Sequence, residues 1–294
     1  MKLFALKSRE VGLTYNQVFR NFSKIKNFWL LIASIICQLA SHGTLIAQVR
    51  QDNWQNNMTA LIESAGSFDR GGLDSNLIAL TFDGGWKCEA CESVLNTLKE
   101  KRVKTTFFLT GIFMERYPQT VKRIQEEGHD VGNHTYSHPR LASGGKTRSG
   151  VTRAYVQEQL NRAHALYFKI TGAKMNPYWR APYGQHNAQI RRWAAELGYV
   201  HVGWTRTAYG NMDTLDWISN PASRLYRSSD EIARKVVNFG KGHKEGASGA
   251  IVLMHLGSYR KKDFPHERLG WIIDMMRAKG YEFVTITDML RFTS

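Results

Sequence analysis

Asp130-Val131-Gly132-Asn133-His134-Thr135-Tyr136-Ser137-His138-Pro139 is the stretch from which the fold is read. Asp130–Asn133 has the look of a short strand, and the residues after it carry chemistry. Two histidines four residues apart face the same way if the backbone turns between them. Both rings then reach one ion at roughly 2.0–2.1 Å, the usual zinc–nitrogen distance. Pro139 forbids a regular helix through His138. The pair therefore sits where a strand gives way to a loop or a single helical turn. Taken alone, such a pair is equally a pair of solvated or core histidines. The rest of the chain decides between these readings.

Working outward, strand-length apolar runs alternate with helical stretches. Leu77–Phe82, Thr105–Leu109, Asp130–Asn133, Tyr178–Ala181, Tyr199–Trp204, Ala250–Met254 and Glu282–Ile286 read as strands. Residues 88–101, 118–127, 151–170, 187–197, 229–239 and 266–279 read as helices; Val156, Leu160, Ala163 and Tyr167 mark one side of the longest. Strand followed by helix, repeated about seven times, predicts an α/β fold with a parallel sheet. That number suits a barrel better than an open sheet.

The chain has 294 residues and a net charge of +15. Up to Arg50 there are 7 Lys and Arg against the single acid Glu10, which leaves 33 against 24 beyond it. A basic body suits a polyanion or a solvated surface. No zinc-finger spacing, RNA-binding signature or basic heptad helix accompanies it, so nucleic acid is not the expected partner. Lys2, Lys7, Arg9, Arg20, Lys24 and Lys26 precede an apolar run over 28–37. That run is shorter than the about 20 residues of a comfortable membrane span. With small residues near Ala47, it makes 1–47 an export signal or a retained membrane anchor. Residues 48–76 are polar and contain Gly66, Gly71 and Gly72, so they read as a linker or N-terminal arm. Cys88 and Cys91 could be a redox pair, a tight disulfide or half a metal site.

The strand tips are more informative. The first ends in Asp83, the third in His134 and His138, the next in Arg180, and the late apolar strand in His255. In a parallel barrel the C-terminal ends of the strands share one face, and that face does the chemistry. Five segments now stand in order: Thr81-Phe82-Asp83-Gly84-Gly85, His134 to Pro139, Arg180-Ala181-Pro182-Tyr183-Gly184, Asp213-Thr214-Leu215-Asp216-Trp217 and Leu253-Met254-His255. From about Leu77 to the C-terminus the chain resembles the polysaccharide deacetylases of carbohydrate esterase family 4, the NodB-homology group. The resemblance implies a distorted parallel (β/α) barrel over 77–294. It implies removal of acetyl groups from a polysaccharide, above all an N-acetylglucosamine-containing glycan such as peptidoglycan or a chitin-like polymer, by an exported enzyme. It also implies roles: Asp83 as general base, His134 and His138 as ligands to a divalent metal, usually zinc, and Arg180 as the partner of Asp83. Tyr183 would offer its backbone N–H to the oxyanion, His255 would be the general acid, Asp213 would tune His255, and Trp217 would wall the groove.

The sequence departs from the family at Gly84, where the third metal ligand is usually an aspartate. Water can fill the gap, a carboxylate from elsewhere can replace it (Glu89 is the nearest in sequence), or the metal is lost and a catalytically weak or inactive sugar-binding module remains. Extra chain between Trp204 and Asp213 softens the fourth motif. Trp86, Tyr136, Trp204 and Tyr209 are candidates to line the groove, and Arg260, Lys261 and Lys262 to meet an anionic polymer.

Overall fold

The computed structural model describes residue 40 and residues 43–293. The basic leader and the apolar run over 28–37 lie outside the described residues. Ala47 falls in the helical residues 43–51. Among the described residues no helix is long and apolar enough to cross a membrane. The chain divides into two units at Gln51 and Asp52, and the second, from Asp52 onward, holds the sheet and the candidate site.

In chain order this unit contains helix α1 (52–64), β1 (Ser67–Phe68), β2 (Leu77–Gly84), α2 (Cys91–Glu100), β3 (Thr106–Leu109), α3 (Gly111–Arg116), α4 (Pro118–Glu126) and β4 (Asp130–Asn133). The small hairpin β5 (Ala142–Ser143) and β6 (Lys146–Thr147) leads to α5 (Arg153–Thr171), β7 (Tyr178–Trp179), α6 (Ala188–Ala195) and β8 (Val200–Val202). A second hairpin, β9 (Arg206–Thr207) and β10 (Gly210–Asn211), precedes α7 (Ser229–Val237), β11 (Ala250–His255), α8 (Leu269–Ala278), β12 (Glu282–Phe283) and α9 (Ile286–Phe292).

The main sheet runs β1-β8-β7-β4-β3-β2-β11, with β12 added on β2, and each pairing in it is parallel. Seven strands thus curl into the distorted barrel expected from the alternation of strands and helices. The seam beside β11 is closed by connecting chain rather than by a full strand. Thr205 N donates to Ile251 O at 3.0 Å, Leu253 N to Met212 O at 2.9 Å and Thr214 N to Leu253 O at 3.2 Å.

Period-two alternation sorts each strand into two faces. On β2 and β11, Ile78, Leu80, Phe82, Ala250, Val252 and Met254 face the helices and pack with Leu95, Leu98, Ile272 and Ile273. Ala79 and Ile251 face inward, with Phe108, Tyr178, Val200 and Val202, and this inner floor is capped by Met58 of α1 and by Met289 and Leu290 of α9. Both faces of β11 are therefore buried, which is why it reads as an unbroken apolar run. Climbing the inner row of β2 by twos leads from Ala79 through Thr81 to Asp83, and that of β11 from Ile251 through Leu253 to His255.

Two local expectations differ from the structure. Residues 48–76, expected as a linker or arm, hold α1 and the edge strand β1 from Asp52 on. Trp54 Nε1 donates to Tyr178 Oη at 2.8 Å, and Asn57 Nδ2 reaches Leu290 O and Thr293 O at 2.9 and 2.8 Å. Trp54, Met58, Leu61 and Ile62 supply a helical apolar stripe inside a polar composition, and composition alone hid it. At the other end, Glu282–Ile286 is a strand only at its first two residues. Thr285 caps a helix there, its side chain accepting from Asp288 N.

Candidate active site

Asp83 and His255 are register partners on the adjacent parallel strands β2 and β11. Their side chains start about one interstrand spacing apart, on the same face. Each is held by its own partner. Asp83 Oδ1 accepts from Arg180 Nη1 at 2.7 Å, and the Arg180 side chain is fully buried. Arg180 also donates to Thr81 Oγ1 (2.9 Å), Val202 O (3.1 Å) and Gly203 O (2.8 Å). Its guanidinium lies 4.1 Å from the centroid of the Phe108 ring. Gly132 makes that stack available: a Cβ there would stand 2.6 Å from Phe108 Cε1. Burial raises the Asp83 carboxyl pKa, but the charge of Arg180 leads the opposing effects and the net shift is downward.

His255 meets Asp216, not Asp213. Its Nδ1 donates to Asp216 Oδ1 at 2.7 Å, and its backbone N–H donates to Asp216 Oδ2 at 2.8 Å. Burial lowers the His255 pKa, the Asp216 carboxylate leads the effects that oppose it, and the imidazole is shifted upward. Asp213, expected to tune His255, turns its Oδ1 onto Leu215 N at 2.9 Å. It lines the same cavity and contributes only a lesser charge effect on His255. The reason lies between the two aspartates: Leu215 has φ +56°, and the turn it makes swings Asp216 rather than Asp213 onto the ring.

His134 and His138 converge without a helical turn. Thr135 and His138 both take positive φ, at 65° and 57°, and the loop is pinned by side chains. Asn133 Oδ1 accepts from Thr135 N, and Gln159 Oε1 accepts from Ser137 N and Ser137 Oγ. His134 Nδ1 donates to Arg180 O at 2.8 Å, which leaves Nε2 with a lone pair. His134 Nε2 and His138 Nε2 are 3.2 Å apart. Two tetrahedral zinc ligands at ~2.05 Å would stand about 3.3 Å apart. Burial keeps both rings neutral, lowering His134 and holding His138 at about 3. The pair fits one divalent ion.

A third ligand is another matter. Asp83 Oδ2 lies 3.4 Å from His134 Nε2, yet among the described residues no group of three His, Cys, Asp or Glu side chains converges as a metal cluster. A Cβ at Gly84 would stand 2.7 Å from Leu109 Cδ2 and 3.2 Å from Phe113, so that position looks into apolar packing. Glu89 is no substitute: its Oε1 accepts from Ser258 N (2.8 Å) and Tyr259 N (2.7 Å) and anchors the loop after His255.

These groups open on one cavity of about 500 Å3. Tyr183 and Trp217, half exposed, and Trp86 and Trp204 line it. Tyr183 sits at φ +61°, and its ring centroid is 4.5 Å from that of His138. Of the eight non-glycine residues with positive φ among the described residues, Thr135, His138, Tyr183, Leu215 and Tyr259 belong to the loops of this site. Backbone strain of this kind, of order 1–3 kcal/mol each, gathers where a fold must aim a group. Tyr136 and Tyr209, considered for the groove, are placed elsewhere. Tyr136 packs against Gly111 and bonds Glu115 at 2.6 Å, while Tyr209 stacks on His243. Arg260 does not reach out to a polymer; it is buried, and its Nε donates to Asp216 O at 2.9 Å. Cys88 and Cys91 form a disulfide at the start of α2.

Comparison with known proteins agrees with the fold. The polysaccharide deacetylase family model matches residues 70–202. Peptidoglycan-N-acetylmuramic acid deacetylase PdaA of Bacillus subtilis is 32% identical over 234 residues, 79% of this chain and 78% of its own. The chain belongs to the polysaccharide deacetylase family. The PdaA structure, described as a family 4 carbohydrate esterase, superposes with a TM-score of 0.64 at 31% identity, covering 79% of this chain and 88% of that one. A peptidoglycan-N-acetylglucosamine deacetylase of Bacillus cereus is 32% identical over 73% of this chain and 68% of its own. A family 4 pseudoenzyme from Bacillus anthracis also superposes, with a TM-score of 0.62 at 26% identity over 77% of this chain and 69% of that one. This deacetylase-family chain therefore shares its fold with active and inactive relatives.

Proposed function

We propose that this chain is an exported, metal-dependent hydrolase that removes acetyl groups from the amino sugars of a cell-wall glycan of the peptidoglycan type. The observation that carries the reading is the Asp83–His255 register pair. A carboxylate held low by Arg180 and an imidazole held high by Asp216 stand side by side over one open cavity. Amide hydrolysis needs a proton acceptor for water and a proton donor for the departing nitrogen, in those two opposite states. Asp83 takes the proton of the attacking water. The backbone N–H of Tyr183, aimed by its left-handed turn, meets the charge that develops on the carbonyl oxygen, an interaction worth about 3 kcal/mol for one donor. His255 delivers its proton to the leaving nitrogen, and acetate and a free amine depart. Arg180 keeps Asp83 ionised and pointed, and Asp216 does the same for the charged form of His255. A divalent ion, of which zinc is the usual one, would be held by His134 and His138 and would polarise the carbonyl and acidify water.

Acetate release from N-acetylated peptidoglycan and chitin oligomers tests this reading. Asp83→Asn and His255→Ala should each abolish release while circular dichroism shows the fold retained. Near-wild-type rates in either variant would remove the assigned roles. Gly84 favours one competing reading, a sugar-binding module with a depleted metal site. Glycan binding without acetate release, with or without added zinc, would establish that alternative.

A further inference from the structure

A line of hydrogen bonds ties the edge strand β1 to the histidine pair, and it passes through a single peptide unit. Ser67 Oγ donates to Asp69 Oδ1 at 2.6 Å and lies 2.7 Å from His201 Nδ1. A hydroxyl has one proton, and a carboxylate only accepts. Ser67 therefore accepts from the ring, so His201 carries its proton on Nδ1 and keeps a lone pair on Nε2. That lone pair receives the Ala181 N–H at 3.3 Å. The carbonyl of the same peptide, Arg180 O, accepts from His134 Nδ1 at 2.8 Å. From the site outward, each group donates to the next, and the line ends on a carboxylate.

The surrounding structure leaves this peptide to a side chain. β7 and β8 pair as far as Trp179 and His201. The next two carbonyls of that strand, Val202 O and Gly203 O, accept from the Arg180 guanidinium. The buried Ala181 N–H is met by His201 instead. His201 is itself buried, with its ring centroid 5.1 Å from that of Trp179 and 3.9 Å from that of His186. Burial drives its pKa well below the ordinary value, so the ring is neutral. Gly203 leaves room for Asp69: a Cβ there would stand 2.2 Å from Oδ1. An acceptor on the far nitrogen of a ligating histidine fixes its tautomer and raises its basicity, and hydrogen bonds in a line polarise one another. We propose that His201 and Ser67 are positioning residues for His134. They hold the Arg180–Ala181 peptide so that its carbonyl keeps the His134 proton on Nδ1 and leaves Nε2 to a divalent cation. The inference rests on His134 as a metal ligand and extends that reading to the edge strand.

Three variants test it. His201→Phe keeps a ring in the packing and removes the acceptor. Ser67→Ala lets the His201 proton sit on either nitrogen. Ser67→Thr restores the hydroxyl with a residue suited to a strand. In the metal-free protein, 15N NMR of the imidazoles should show His134 as one tautomer, protonated on Nδ1, in the wild type and in Ser67→Thr. It should show a mixture in His201→Phe and Ser67→Ala. Zinc calorimetry should give an affinity about tenfold lower in those two, the lower end of the range for partners of a ligating histidine, and unchanged in Ser67→Thr. Circular dichroism checks that each variant is folded, and if His201→Phe is not, the Ser67 pair carries the test. An unchanged His134 tautomer in the variants that lack the acceptor or the hydroxyl would overturn the inference. So would equal loss of zinc affinity in Ser67→Thr and Ser67→Ala, which is what general damage to the edge strand produces. No zinc uptake by the wild type, with the tautomer response intact, would sink the metal reading and keep the positioning role. Zinc binding that ignores all three variants would do the reverse.

Discussion

Asp216→Asn is the sharpest probe of the active site, because the two oxygens of Asp216 have different tasks. Oδ2 accepts from the backbone N–H of His255, and that N–H admits only an acceptor. An asparagine must therefore place its carbonyl oxygen there and turn its NH2 toward Nδ1 of the ring. The ring is then driven to the tautomer with its proton on Nε2, and its protonated form faces a donor instead of a carboxylate. The hydrogen bond that the substitution removes is charge-assisted, 2.7 Å long, with Asp216 at 5% and His255 at 22% side-chain exposure. General acid catalysis contributes 10^2–10^4-fold, so kcat should fall by about that factor, roughly 3–5 kcal/mol of barrier. The sign of the pH effect is also fixed. Burial lowers the His255 pKa and Asp216 raises it above the ordinary value. With the carboxylate gone, burial is opposed only by the lesser charges of Asp83 and Asp213, and the alkaline limb of kcat against pH moves to lower pH. Asp213→Asn is the control. Its contact, Oδ1 to Leu215 N, is one that asparagine reproduces, and its loss of rate should stay below about tenfold. Acetate release measured across pH 5–10 for the three proteins decides the matter. Equal damage from the two variants, or an unmoved alkaline limb in Asp216→Asn, would refute the reasoning.

Three further outcomes are expected. Arg180→Met leaves the Asp83 carboxylate buried without its partner and should cost about 3–5 kcal/mol in urea unfolding at pH 7; a loss below about 1 kcal/mol would contradict the burial argument. Because the folded Asp83 pKa lies below its ordinary 3.8, its contribution is present above that value and fades as pH falls through the folded pKa. The gap between wild type and Arg180→Met should therefore narrow below about pH 4. Gly84→Asp brings a Cβ to 2.7 Å from Leu109 Cδ2 and should destabilise by about 1–3 kcal/mol. It should leave zinc affinity unchanged by calorimetry, and a tenfold tightening would show that the strand end can redirect the side chain. Finally, zinc titration should lose its signal in His134→Ala and keep it in Glu89→Gln; the opposite pattern would put Glu89 on the metal.

Much of this is legible in the sequence because it depends on periodicity and strand order. Leu77–Phe82 and Ala250–Met254 advertise buried parallel strands, and in such a barrel the residues at their C-terminal ends must lie on one rim. That alone places Asp83, His134, His138, Arg180 and His255 together. The features that escape depend on single backbone torsions. Asp213 and Asp216 stand three residues apart in one motif, and only the left-handed turn at Leu215 settles which one faces His255. The same holds for His134 and His138, whose convergence comes from Thr135 and His138 at positive φ instead of from helical spacing. Glu89 and Arg260 look like free surface charges in sequence. Both are spent on backbone groups, because a loop packed beside His255 must have its amides and carbonyls satisfied. The helix at 52–64 is hidden because its apolar stripe is diluted by polar neighbours.

The hydrogen-bond ladder between β2 and β11 has one more implication. The spacing of Asp83 and His255 is a property of the sheet, not of any loop, and is set beneath whatever sits on the rim above. Exchanging segments such as 86–87, 140, 206 and 259 should therefore leave the spacing of the pair beneath them unchanged.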